Sequence, residues 1–290
     1  MSELRRIASL LLALLLFFVQ CHDVLCDEDS STWSRFRGPN GSGVCDLYEF
    51  PTEIGAESIA WHISLEGSGH ASPVAQNGRI FVASANGETG QQILAAYSTQ
   101  GANLMWRQSL PGKVFPKHAF NSFASSTPAL DGDRVYYAWA TPENLRIVAM
   151  RQETGEIIWN KDLGPFVSQH GFGASPIVYG DMVILPNEQD GESFIIALDR
   201  ETGAVRWKTP RKSEKAAYST LTILTLAGAK DQLILTSWAH GVASLDPQSG
   251  NPLWELPVFH NRTVGSPLVA GDLIVASSGE GGIGREMFVI

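Results

Sequence analysis

Tryptophan returns in this chain at a nearly constant interval. Trp106, Trp159, Trp207 and Trp254 are 53, 48 and 47 residues apart, and Trp61 lies 45 before the first. Ten residues before each of the four stands a small side chain: Ala96, Ala149, Ala197 and Ser244. Between the two lies a polar turn with a glycine, four residues ahead of its tryptophan at Gly155, Gly203 and Gly250 and five ahead at Gly101. Apolar residues, a turn that needs positive φ and then a bulky aromatic describe a β-hairpin.

Two further strand-like runs precede each hairpin. The first opens on Ser72-Pro73, Thr127-Pro128, Ser175-Pro176 and Ser266-Pro267, with Thr220-Leu221 in the odd copy. Proline at the first residue of a strand leaves the rest of its ladder intact. A Gly/Asp turn and a second apolar run follow, as in Gly180-Asp181 and Val183-Ile184-Leu185. Four strands in about 47 residues are the pattern of a β-propeller blade, a sheet that buries both faces only between neighbours. The alternative, an open sandwich, gives tryptophan no reason to recur in register. The expected fold is therefore all-β, a propeller of four-stranded blades. Residues 61–290 hold about five repeats at this period, and Met287–Ile290 resembles the third strand of a fifth unit that lacks its turn and tryptophan.

The repeat is best kept as Ala197-Leu198-Asp199-Arg200-Glu201-Thr202-Gly203-Ala204-Val205-Arg206-Trp207. It resembles the tryptophan-docking repeat of pyrroloquinoline-quinone (PQQ) type propellers. That resemblance implies that Trp106, Trp159, Trp207 and Trp254 are glue between adjacent blades rather than chemistry. It also implies seven or eight blades in a closed ring, so the chain reads as C-terminally truncated. The segment from Trp33 to Gly43, Trp-Ser-Arg-Phe-Arg-Gly-Pro-Asn-Gly-Ser-Gly, is similar to the N-terminal signature of a secreted PQQ-like subgroup of planctomycete-type bacteria. An unclosed propeller would leave an apolar blade face exposed, a site for aggregation.

The first 26 residues read as a signal peptide. Arg5 and Arg6 precede an apolar run from Leu10 to Val19, shorter than the roughly 20 residues that span a bilayer. Cleavage is expected before Asp27, with Cys21 as the runner-up end of the leader. Gln20 stands where a lipoprotein signal wants a small residue, which argues against a lipid anchor on Cys21. The expected organisation is a signal at 1–26, an N-terminal segment at 27–60 and propeller repeats at 61–290, in a periplasmic or secreted chain with no transmembrane span after cleavage. Cleavage after Cys26 leaves Cys45 as the sole cysteine and rules out an intrachain disulfide; cleavage after Cys21 leaves Cys26 and Cys45 able to pair. The leader carries two acidic and two basic residues, so the chain keeps its net charge of −9 without it. A nucleic-acid partner is disfavoured, since such binding is driven by clustered Lys and Arg.

In a propeller the loop before each innermost strand opens on the central funnel. The residues there are His70, Asn121, His170, Tyr218 and Asn261, accompanied by Ser72, Ser126, Ser175, Ser219 and Ser266. Such a ring of imidazole, amide and hydroxyl groups suits a small ligand or a peptide, although each side chain could equally cap a strand end. His118, His170, His240 and His260 lack the spacing of a metal motif. Glu188, Asp190 and Glu192 alternate and would share one face if extended, where Ca²⁺ could bind; a solvated loop is the simpler reading. No nucleophile elbow, metalloprotease motif or phosphate loop occurs.

Two functional classes follow from the resemblance. One is a non-catalytic exported propeller, similar to the outer-membrane assembly lipoprotein of this repeat family, that binds a protein partner in the cell envelope and needs no cofactor. The other is a PQQ- and Ca²⁺-dependent dehydrogenase of alcohols or sugars, with a carboxylate as base. Members of the second class carry adjacent cysteines and about twice this length. The chain has no Cys-Cys pair, which favours the scaffold. A third class, a carbohydrate-binding or carbohydrate-cleaving propeller, has only Tyr218 in its support.

Overall fold

Every strand-like run of the repeat becomes a strand, and the tryptophan sets the register of each hairpin. The computed structural model describes residues 32–45, 52–213, 215–280 and 283–290; the leader expected at 1–26, with Cys21 and Cys26, lies outside them. Among the described residues, five antiparallel sheets follow one another along the chain. Blade 1 is β1 (Val74–Gln76), β2 (Arg79–Ala85), β3 (Gln92–Ser98) and β4 (Leu104–Leu110). Blade 2 is β5 (Ala129–Asp131), β6 (Arg134–Ala140), β7 (Leu145–Arg151) and β8 (Ile157–Asp162). Blade 3 is β9 (Ile177–Tyr179), β10 (Met182–Asn187), β11 (Ser193–Asp199) and β12 (Val205–Arg211). Blade 4 is β13 (Thr222–Leu224), β14 (Gln232–Ser237), β15 (Gly241–Leu245) and β16 (Pro252–Leu256). Blade 5 has three strands, β17 (Leu268–Ala270), β18 (Leu273–Glu280) and β19 (Ile283–Val289). Helix among the described residues is limited to two 3₁₀ turns, Pro39–Gly41 and Ala56–Ser58.

The small residue ten places before each tryptophan is its cross-strand partner: Ala96 faces Trp106, Ala149 faces Trp159, Ala197 faces Trp207 and Ser244 faces Trp254. A bulge follows that partner in all four blades. The indole needs a small neighbour opposite, and the bulge sharpens the twist that starts the turn.

The core lies between sheets, not within one. Along β6, Tyr136, Ala138 and Ala140 face blade 3, while Val135, Tyr137 and Trp139 face blade 1. Strand periodicity of two therefore serves two cores at once, and both sets are almost fully buried. Trp106 packs between blades 1 and 2, Trp159 between 2 and 3, and Trp207 between 3 and 4. Their Nε1 groups donate to the carbonyls of Gln152 (2.8 Å), Arg200 (3.0 Å) and Pro247 (3.1 Å), each on the next blade's hairpin. Each acceptor stands three residues before that hairpin's glycine. Trp61 outside the sheets donates to the Thr99 carbonyl of the blade 1 hairpin at 3.0 Å, two residues before Gly101. Trp254 differs: it is half-buried, and its Nε1 donates to Gln232 of its own blade at 2.7 Å.

Candidate functional site

The inter-blade connections 111–128, 163–176, 212–221 and 257–267 all emerge on one face, because each leads from an outermost strand to the next innermost one. Innermost strands β1 and β5, β5 and β9, and β13 and β17 are neighbours. The Ser/Thr steps that open them knit the ring. The amide of Ser72 donates to the Thr127 hydroxyl (2.9 Å), that of Thr127 to Ser175 (3.0 Å) and that of Thr220 to Ser266 (2.9 Å). Ser219 accepts from the Thr236 hydroxyl at 2.8 Å, and Ser126 is buried. Of the five serines, Ser175, Ser266 and Ser219 thus spend their hydroxyls on structural bonds.

Above this ring the connections enclose a cavity of about 500 Å³. His70, Asn121, His170 and Tyr218 line it together. Asn261 is not on its described wall; the neighbouring Arg262 is. Phe36, His118, Phe120 and Val264 complete the apolar surface. Counting back from the Ser/Thr-Pro step missed His118 and Phe120, because the 111–128 connection is long enough to fold back over the funnel. Phe120, 88% exposed, stands at the mouth.

Asn121 is an organiser of this wall. Its Nδ2 donates to the His170 carbonyl (2.6 Å), and its Oδ1 accepts from the Ser122 amide (2.8 Å) and the Ser125 hydroxyl (2.5 Å). Gly171, at φ +87°, leaves room for it; a Cβ there would lie 3.0 Å from Asn121 Nδ2. The His118 and His170 rings meet edge to face at 5.1 Å. His118 Nδ1 accepts from the Phe120 amide at 3.1 Å, which puts the proton of the neutral ring on Nε2. Deeper in, buried Arg262 donates to the Tyr218 hydroxyl (3.2 Å) and lies 5.9 Å from its ring. Tyr218 in turn contacts the Ser168 hydroxyl at 3.3 Å.

The acidic trio lies in the β10–β11 turn, not on an extended face, and each carboxylate has its own partner. Glu188 forms a buried ion pair with Arg211 (2.8 Å), Glu192 pairs with Lys208 (2.9 Å), and Asp190 accepts from the amides of Ala216 (2.8 Å) and Gln169 (3.0 Å). His240 contacts Glu255 at 2.7 Å and His260 lies 3.4 Å from Glu286, both away from the cavity. Among the described residues no group of three or more His, Cys, Asp or Glu side chains is arranged to hold a metal ion, and no helix is long and apolar enough to cross a membrane. The described lining residues of the cavity supply imidazole, amide, hydroxyl and guanidinium groups and include no carboxylate.

Known proteins share this architecture. The chain is 23% identical over 257 residues to the outer membrane protein assembly factor BamB of Burkholderia pseudomallei (strain K96243), covering 75% of this chain and 63% of that one. It is 26% identical over 157 residues to a quinoprotein ethanol dehydrogenase of Pseudomonas putida, covering 43% of this chain and 25% of that one. The chain thus spans less than two thirds of either relative. Among solved structures, BamB from Moraxella catarrhalis superposes with a TM-score of 0.52 at 18% identity, over 77% of this chain and 62% of that one. A europium-containing methanol dehydrogenase superposes at 0.61 with 13% identity, over 86% of this chain and 55% of that one. Similarity at this level establishes the fold. The profile of the family described as outer membrane protein assembly factor BamB matches residues 54–141 and 91–287, and with the tryptophan-docked blades above it the chain belongs to that family of PQQ-type repeat propellers.

Proposed function

We propose that this chain is an exported, non-catalytic propeller that binds a protein partner in the cell envelope through the aromatic mouth of its funnel. The observation that carries the reading is the cavity wall. Phe36, Phe120, His70, His118 and Tyr218 offer broad, partly exposed rings, and the described lining residues include no carboxylate to serve as a base. Aromatic side chains give large contact area with few rotatable bonds, the property of binding anchors rather than of acid–base groups. The family match supports a setting in envelope assembly, and the apolar leader expected at 1–26 supports export.

The dehydrogenase reading has one observation in its favour, the similarity to the quinoprotein ethanol dehydrogenase. The two separate cleanly by experiment. Incubation with PQQ and Ca²⁺, followed by dye reduction with alcohols and aldoses, is expected to give no turnover. A photo-crosslinking residue in place of Phe120 is expected to capture an envelope protein, whereas one in place of Leu104, on the outer edge of blade 1, is not. Turnover that disappears on replacing His170 would overturn the scaffold in favour of the enzyme.

A further inference from the structure

The Trp33–Gly43 segment docks on the blade that follows it in sequence and also reaches two later ones. We propose that it is an axial clamp, an intramolecular peptide ligand that occupies the propeller's own channel, joins blades 1, 2 and 4 and closes the funnel beneath the cavity. The inference holds whether or not the cavity binds a partner.

Three innermost strands meet the segment. Trp33 pairs with Ala75 of β1 in both directions, N to O at 2.8 and 2.9 Å. The Ser34 carbonyl accepts from the Leu130 amide of β5 at 2.7 Å. Arg35, buried, donates through Nη2 to the Leu221 carbonyl just ahead of β13. Asn40 then reads β13 as a strand partner would: its Nδ2 donates to the Ile223 carbonyl (2.7 Å) and its Oδ1 accepts from the Ile223 amide (2.9 Å). A single side-chain amide thus satisfies both backbone groups of an inner-strand residue. Blade 4 is also the copy whose opening step departs from the repeat, with Thr220-Leu221 in place of Ser/Thr-Pro.

The backbone of the segment is shaped for this docking. Arg37 (φ 63°) and Asn40 (φ 45°) are in the left-handed region, as are Gly38, Gly41 and Gly43. Non-glycine residues stay there only where their surroundings over-determine the conformation. Gly38 is further constrained: a Cβ on it would lie 2.5 Å from the Trp33 ring. Phe36, between the two anchor points, lines the cavity from this side, so the funnel has a floor made by the chain's own N-terminal segment.

Hydrogen exchange of the full chain, read by mass spectrometry or NMR, tests the clamp. In the wild type, amides of 33–43 and of β13 are expected to exchange at least tenfold slower than an unstructured peptide. Asn40→Ala is expected to speed exchange of Ile223 and of the whole segment, while β6 and β7 stay protected. Asn40→Asp keeps the acceptor and loses the donor, and an intermediate rate is expected. Free exchange of the segment in the wild type would overturn the proposal, as would an Asn40→Ala chain in which Ile223 and the segment keep wild-type rates. If Asn40→Ala also unprotects β6 and β7, the wild-type rate and the Asn40→Asp rate decide the matter by the same criteria.

Discussion

Trp207 illustrates how one residue type does three things here. Its ring packs in the core between blades 3 and 4, its Nε1 donates to Pro247, and its face lies so close to Gly250 that a Cβ there would be 2.5 Å from Cε3. Trp106 against Gly155 and Trp159 against Gly203 repeat the arrangement at 2.6 and 2.8 Å. The turn glycine is therefore required twice, by a φ of 69–71° and by the neighbour's indole. Truncation of a buried Trp costs about 3–5 kcal/mol, so Trp207→Ala is expected to lower the melting temperature markedly, as calorimetry would show. An unchanged midpoint would contradict the docking role. Trp254→Ala is expected to cost less, since its ring is half-buried and its Nε1 bond stays within its own blade.

At the scale of the hairpin, an aspartate shapes the turn. Asp199 Oδ1 accepts from the Thr202 hydroxyl (2.8 Å) and from the amides of Thr202 (2.9 Å) and Glu201 (3.1 Å), and Asp246 makes the same amide contacts to Gln248 and Ser249 in blade 4. The Thr202 hydroxyl bond, above all, holds the Asp199 carboxyl below its usual range. A folded-state value below the unfolded one means that the contribution is complete above the unfolded value near 3.8 and is lost as pH falls through the lower, folded one. Asp199→Asn keeps an acceptor but removes the titration. Its melting temperature, scanned between pH 6 and 3, is expected to fall less steeply on the acid side than that of the wild type; parallel curves would contradict the assignment. Neighbouring hairpins are further tied across blades, with Arg134 on Glu201 and Arg200 on Asp131. The Glu201 hydrogen bond raises the Arg134 guanidinium above its ordinary range, though pairs this exposed contribute little to stability.

Over the whole molecule, each sheet is buried by its neighbours, and a blade with an open face shows it. On blade 5, Leu273, Met287 and Val289 are 46%, 70% and 54% exposed. Apolar surface of this kind next to a strand edge favours self-association. Light scattering of the chain is expected to rise with concentration, and the double substitution Met287→Lys, Val289→Lys to suppress the rise without lowering the melting temperature. Scattering unaffected by the substitutions would locate the sticky surface elsewhere.

The four-stranded repeat, its about five copies in the chain and the hairpin that links each tryptophan to a small residue ten places earlier were legible in the sequence, because they rest on local chemistry: short apolar runs, glycine turns and a small residue kept in register with a large one. That His70, Asn121, His170 and Tyr218 lie near one another was legible in outline, since each precedes an innermost strand and those strands surround one axis, although they stand 2, 6, 5 and 2 residues before their Ser/Thr steps. What tertiary structure alone decided is what lies outside the period. His118 and Phe120 reach the cavity through a connection whose path depends on Asn121 and the His170 carbonyl, 49 residues apart in sequence. Arg262, and not Asn261, is on the described wall of the cavity, a choice that no local pattern marks. The docking of Arg35 and Asn40 onto blade 4, across 186 and 183 residues, follows from backbone groups that become neighbours only when the blades have assembled.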